Sequence, residues 1–179
     1  MSVDLEIENC VKTLKAGGII IFPNEAGWHI GCDLLNGEAI EAILQQNECE
    51  YPSVMLHNPG NFNKYVSETP DVLWDLIEFN NKPMIVMLSK SVNVPARLVN
   101  SDECPFRIVK ESFIFQVITK FGKPLFGAVL KDQNHPIKQN FILNKTGYVV
   151  NLRLSPKSNP GNLVIMRLSS TGKIEFIKK

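Results

Sequence analysis

Apolar residues recur near the start of the chain at Ile7, Cys10, Val11 and Leu14, the spacing of one helix face, and Gly17-Gly18 supplies the left-handed stop such helices favour. The unbroken run Ile19 to Phe22 then predicts a buried strand, Pro23 to Gly27 a turn, and Trp28 to Cys32 a second extended segment. A helix capped by Asn36 follows, with Ile40, Ile43 and Leu44 on one face, and Ser53 to Leu56 is the next strand. Thr69 as cap, with Pro70 at the first helical position, predicts a helix through Phe79 whose stripe is Val72, Leu73, Leu76 and Ile77.

In the second half, Met84 to Leu88 and Phe106 to Val109 read as strands. A helix from about Ser112 to Phe121 ends at Gly122 with Pro124 beyond. Further strands are predicted near 125–130, 148–153, 163–168 and 173–177. Helices alternate with strands early and strands cluster late. The expected fold class is therefore α/β, one domain over residues 1–179 with a twisted mixed sheet flanked by helices. Pro and Gly residues around 156–161 mark a loop, too short to separate domains, and no internal repeat or low-complexity tract is visible.

A chain of 179 residues, 44% of them apolar, can bury roughly 70% of its unfolded surface without disulfide staples. Cys10, Cys32, Cys49 and Cys104 are widely spaced, with no C-x-x-C pair and no His at zinc-ligand spacing, as expected of buried thiols in a reducing compartment. No segment reaches a membrane span, and Asp4, Glu6 and Glu8 make the N-terminus unlike a signal or transit peptide. A cytoplasmic location without a membrane partner is expected.

The formal charge of +1 conceals a division. Residues 1–79 carry Lys12, Lys15 and Lys64 against 13 acids, a net of −10, whereas residues 80–179 carry 16 bases against five acids, a net of +11. Such asymmetry points to a polyanion-binding surface on the second half or to two halves that offset each other within one fold.

Phosphate-loop, dinucleotide-binding and nucleophile-elbow signatures are absent. Lys15-Ala16-Gly17-Gly18 precedes a strand and reads as a helix cap. His29, His57 and His135 have no carboxylate or Cys at relay spacing; His135 precedes Pro136 and reads as a turn residue, and His29, in a strand just after a Pro-led turn where a side chain could border a pocket, reads as a packed or surface histidine.

The stretch LKAGGIIIFPNEAGWHIGCDLLNGEAIEAIL, residues 14–44, resembles the YrdC/YciO family of threonylcarbamoyl-adenylate synthases, with its helix, Gly-Gly, apolar strand, Pro-Thr-x-Thr and aromatic-Gly-Leu-Gly. The likeness continues through Asn81-Lys82-Pro83-Met84-Ile85 at the family's Pro-Gly-Pro-x-Thr and Phe106-Arg107-Ile108 at its Val-Arg-x strand. Phe121 to Leu125 precede its Ser-x-Asn, and Ile165-Met166-Arg167 stand at its closing strand. The resemblance implies a YrdC-like fold and a chemistry that joins ATP, bicarbonate and threonine with release of pyrophosphate, feeding tRNA modification. ATP with Mg2+ would be the cosubstrate only if that activity is retained.

This chain departs from the motifs associated with the chemistry. Lys-x-Arg falls on Gln45-Gln46-Asn47, and neither Lys nor Arg occurs from 16 to 63. Ser-x-Asn falls on Val129-Leu130-Lys131. The two Thr positions of Pro-Thr-x-Thr are Asn24 and Ala26, and the Thr of Pro-Gly-Pro-x-Thr is Ile85. Charge-assisted phosphate contacts are worth roughly 1.5–3 kcal/mol each, so a kept fold with weak or absent synthase activity is expected.

By carry-over, the candidate ligand-binding residues are Asn24, Glu25, Trp28, Arg107, Lys131 and Arg167. Against a binding role, Arg107 could pair with Glu111, Lys131 could be solvated and Trp28 could be core. The expected function is RNA binding, to double-stranded RNA or tRNA, or binding of a nucleotide or small anion, in a translation or tRNA-modification setting. The alternative is an active L-threonylcarbamoyladenylate synthase. Oligomeric state stays open.

Overall fold

The computed structural model describes residues 2–134 and 147–179; His135 lies outside them. Helix α1 (Val3–Lys15) buries Ile7, Cys10 and Leu14 and ends as its spacing predicts, with the Gly18 N–H donating to the Thr13 carbonyl at 2.9 Å and Gly17 at φ +78°. Strands β1 (Ile19–Asn24) and β2 (Gly27–Asp33) form a hairpin. Helix α2 (Gly37–Leu44) is capped by the Asn36 side chain, which accepts from the Ala39 N–H at 3.1 Å.

Strand β3 (Cys49–Leu56) starts earlier than its apolar run, because its first residues pair with Leu130 and Val129 before a bulge between Glu50 and Ser53. Helix α3 (Val72–Phe79) starts later than predicted: the Thr69 hydroxyl donates to Asn63 Oδ1 at 3.0 Å instead of capping. After β4 (Met84–Ser89) and β5 (Glu103–Ile108), helix α4 (Ser112–Phe121) is capped by Glu111, whose two oxygens accept from the Phe113 and Ile114 N–H groups, and stops at Gly122, φ +82°. Strands β6 (Leu125–Leu130), β7 (Gly147–Val149), β8 (Val164–Leu168) and β9 (Ile174–Lys178) follow.

These strands form one mixed sheet in the order β7-β1-β2-β6-β3-β5-β4-β8-β9. Its parallel pairs are β1/β7, β3/β5 and β4/β8. One face packs Trp28, Ile30, Val54 and Phe106 against Ile40, Ile43, Leu73 and Ile77 of α2 and α3. On the other, Phe22, Met55 and Leu125 pack against Ile7, Leu14, Ile114 and Ile118 of α1 and α4. Register carries the second face further: Phe22, His29 and Val129 are cross-strand partners, as are Met55, Arg107, Ile85 and Ile165. That face continues beyond the two helices, and the region beyond them holds the candidate site.

Strand β7 is shorter than the predicted 148–153, because the chain leaves the sheet to meet α1. Glu6 is fully buried there, and its Oε2 accepts from the Tyr148 hydroxyl at 2.7 Å and the Asn151 N–H at 2.9 Å. Burial, reinforced by this bond, pushes the Tyr148 phenol up to about 12. Glu6 thus fixes the start of the segment that walls the cleft described below. Glu6→Ala leaves the Asn151 N–H without its acceptor and should lower unfolding free energy by about 1–3 kcal/mol. The check is a lower urea midpoint at unchanged m-value.

Candidate functional site

Arg107, on β5, is the largest fully buried side chain of the described residues, 1% exposed. Its side chain spans β3 and β6 to reach the β1–β2 hairpin. One terminal nitrogen donates to Asn24 Oδ1 at 2.7 Å and Glu25 Oε1 at 2.9 Å, and the other meets His29 Nε2 at 2.6 Å. Isolated charge is expensive to bury, so this threefold coordination permits the placement. The partner is Glu25 and not Glu111, whose carboxylate is committed to the α4 cap.

His29 completes the network as a neutral ring. Its Nδ1–H donates to the Gly27 carbonyl at 3.0 Å, leaving Nε2 as acceptor for the guanidinium. Burial first, then the Arg107 charge, push its pKa down to about 3, partly opposed by the Gly27 hydrogen bond. Alternation along β2 puts His29 on the Arg107 face and Trp28 on the other.

The candidates divide accordingly. Asn24, Glu25 and Arg107 come together; Trp28 lies 2% exposed in the core beneath α2 and α3. Arg167 binds Glu103 at 2.6 Å and Glu175 at 2.9 Å, away from the network. Lys131 donates to the Asn47 carbonyl, so the last position carried over from Ser-x-Asn touches the last from Lys-x-Arg. Gln45 and Gln46 are turned back onto Glu41 and the Ala42 carbonyl.

Two features adjoin the network. Ala26, Ile85 and Val129, which occupy three positions with hydroxyls in the resembled motifs, pack into one apolar cluster with Leu163 and Ile165. Beside it lies a cleft of about 680 Å³ whose lining includes Asn24, Glu25, Lys82, Glu111, Arg153 and Lys157. The Glu111 oxygens are held by backbone N–H groups and Glu25 Oε1 by Arg107. Among the described residues no ion pair engages Lys82, Arg153 or Lys157, and the buried Asn24 Nδ2 has no partner. The cleft therefore offers three uncommitted cations. Lys82 stands at the Gly position of Pro-Gly-Pro-x-Thr, which marks no cation, and the 153–157 segment carries no motif; the C-terminal excess of Lys and Arg was the available signal.

Residues 12–170 match the Sua5/YciO/YrdC family model, described as "Telomere recombination". The chain belongs to this family. It is 48% identical over 146 residues to a threonylcarbamoyl-AMP synthase of Saccharophagus degradans, covering 72% of this chain and 74% of that relative. A second, from Pseudoalteromonas translucida, is 25% identical over 176 residues, covering 91% and 94%. The fold matches that of E. coli YciO, with a TM-score of 0.76 at 18% identity over 99% of this chain and 90% of that one. It also matches P. abyssi Sua5 complexed with L-threonine, with a TM-score of 0.69 at 15% identity over 90% of this chain and 50% of Sua5. The YrdC-like α/β sheet expected from the sequence is thus present, and the family setting is tRNA modification. None of the described helices is long and apolar enough to cross a membrane.

The buried neutral His29 makes stability pH-dependent with a defined sign. Its folded pKa lies below the unfolded value of about 6.5, so the unfolded chain takes up a proton that the folded one refuses. Stability attributable to this group is complete above about pH 6.5 and falls as pH drops toward 3, by at most about 1.4 kcal/mol per unit. Comparing the pH dependence of unfolding in wild type and His29→Gln checks this: the variant should lose that part of the slope.

Proposed function

We propose that this protein is a divergent YrdC-like module that binds RNA, double-stranded or tRNA, or a nucleotide, in a translation or tRNA-modification setting, and that its synthase chemistry is degraded. The observation that carries the reading is the contrast between the two parts of the site. Where the resembled motifs place hydroxyls, the chain has Ala26, Ile85 and Val129 packed against Leu163 and Ile165. Next to them, Lys82, Arg153 and Lys157 line an open cleft.

An apolar floor supplies no donor to an oxyanion. Charge building up during phosphoryl chemistry must be met by preorganised donors or cations. Arg107 is no substitute, because Asn24, Glu25 and His29 occupy its terminal nitrogens. Lys131, beside Asn47, returns one cation to a region that has lost two. Among the described residues no three His, Cys, Asp or Glu side chains are placed to hold a metal ion. If synthase activity were retained, Mg2+ would come with ATP through its phosphates.

The cleft suits a ligand recognised by charge. Phosphate contacts from Lys and Arg bring little sequence readout and a steep salt dependence. With duplex RNA or tRNA, log K should fall linearly with log salt, and Lys82→Ala, Arg153→Ala and Lys157→Ala should each weaken binding and lower the slope by about 1. ATP stabilisation in a thermal shift that is lost in the same variants would favour the nucleotide arm. Negligible RNA affinity at low salt together with no shift by ATP would remove the binding reading. Pyrophosphate release that depends on both threonine and bicarbonate would show the family synthase to be intact and overturn the claim of degraded chemistry.

A further inference from the structure

A second concavity, about 420 Å³, shares no lining residue with the basic cleft. Its walls include Leu44 at the end of α2, Tyr51 on β3, Met87 on β4, Pro105 on β5, Ile165 on β8 and Ile177 on β9. Its floor continues the apolar cluster through Ile85 and Ile165, with Tyr51 and Met87 packed alongside.

The charged side chains that line it are already ion-paired. Arg97 donates to Glu41 at 2.7 Å and to the Gly37 carbonyl at 2.9 Å. Glu103 receives Arg167 at 2.6 Å. The Lys178 ammonium donates to the carbonyls of Leu163 at 2.7 Å, Pro160 at 3.3 Å and Gly161 at 3.5 Å, and stands 5.9 Å from the centre of the Tyr51 ring. The two charged side chains that line the groove, Arg97 and Glu103, are thus both ion-paired, and the Lys178 ammonium, outside the lining, is turned onto carbonyls.

Tyr51 marks the groove as more than a gap in packing. It sits at the β3 bulge with φ +52°, a left-handed conformation unfavourable for a side chain of this size. Bulges of this kind re-aim side chains, and this one leaves Tyr51 as an aromatic wall. Its hydroxyl makes no hydrogen bond to the described residues, and Asn100, exposed, also lines the groove. These groups can meet one polar substituent of a ligand.

We propose that this groove binds an uncharged, predominantly apolar small molecule with an aromatic or aliphatic body. The volume lies in the range of small-molecule pockets, and the matched ionic groups select against anions and cations alike. Leu44, 39% exposed, and Ile177, 52% exposed, form its accessible lip. This groove shares the apolar cluster with the proposed site but none of the residues that line its basic cleft.

The test uses the full chain and the uncharged fluorophore N-phenyl-1-naphthylamine. The expected result is saturable binding of one dye per chain with an affinity unchanged from low to high salt, the opposite of the behaviour expected of the basic cleft. Ile177→Glu and Leu44→Glu, on different elements and both at the surface, should each weaken it by about tenfold or more while keeping the wild-type circular dichroism spectrum. Lys82→Ala should leave it unchanged. Absence of saturable binding, or wild-type affinity in both lip variants, would overturn the proposal. So would a wild-type dimer in sedimentation that Ile177→Glu converts to monomer, because a second copy would then be the occupant.

Discussion

A guanidinium removed from water sets the terms for this side of the sheet. Arg107 originates on β5, and the groups that make its burial tolerable belong to the β1–β2 hairpin, beyond two intervening strands. The hairpin turn must therefore present Asn24 and Glu25 at one position, and β2 must present an imidazole free to accept. A protonated His29 would set two cations against each other, so the ring's neutrality belongs to the same arrangement. The pair also links distant parts of the chain. His29 and Arg107 are 78 residues apart, and their contact couples the hairpin to the central strands.

The division of charge is resolved by the same logic. Glu25–Arg107, Asp33–Lys123, Glu41–Arg97 and Glu68–Lys90 each join an acid of residues 1–79 to a base of residues 80–179. Part of the opposition seen along the sequence thus becomes attraction within the fold. Of the positive charge left without an ion pair among the described residues, Lys82, Arg153 and Lys157 are the part gathered around one cleft. The two readings of the charge count apply to different residues of the same half.

Local signals were legible wherever one or two residues decide the outcome. Gly17-Gly18, Asn36 and Gly122 end or start helices through backbone conformations and caps that need no distant partner. The errors arise where a distant group competes: Asn63 takes the Thr69 hydroxyl and delays α3, and Glu6 draws the chain out of β7. The site divides in the same way. Asn24, Glu25 and Arg107 were nameable from motif positions. His29 looked isolated because its partner is remote in sequence, although the alternation along β2 already set it opposite Trp28. The cations of the cleft had only a diffuse compositional signal, since surface geometry and not spacing brings Lys82 to Arg153 and Lys157.

The apolar cluster of Ala26, Ile85, Val129, Leu163 and Ile165 also bears on the history open to this chain. Exchanging one of its aliphatic side chains for a hydroxyl-bearing one would place a polar group among residues that offer it no partner. Such an orphan costs about 1–3 kcal/mol against a total stability of about 5–15 kcal/mol for a typical domain. The first step back toward a polar floor would thus carry a stability penalty before companion residues could supply any function. Packing of this kind acts as a ratchet: each substitution that fills the floor deepens the barrier to reopening it.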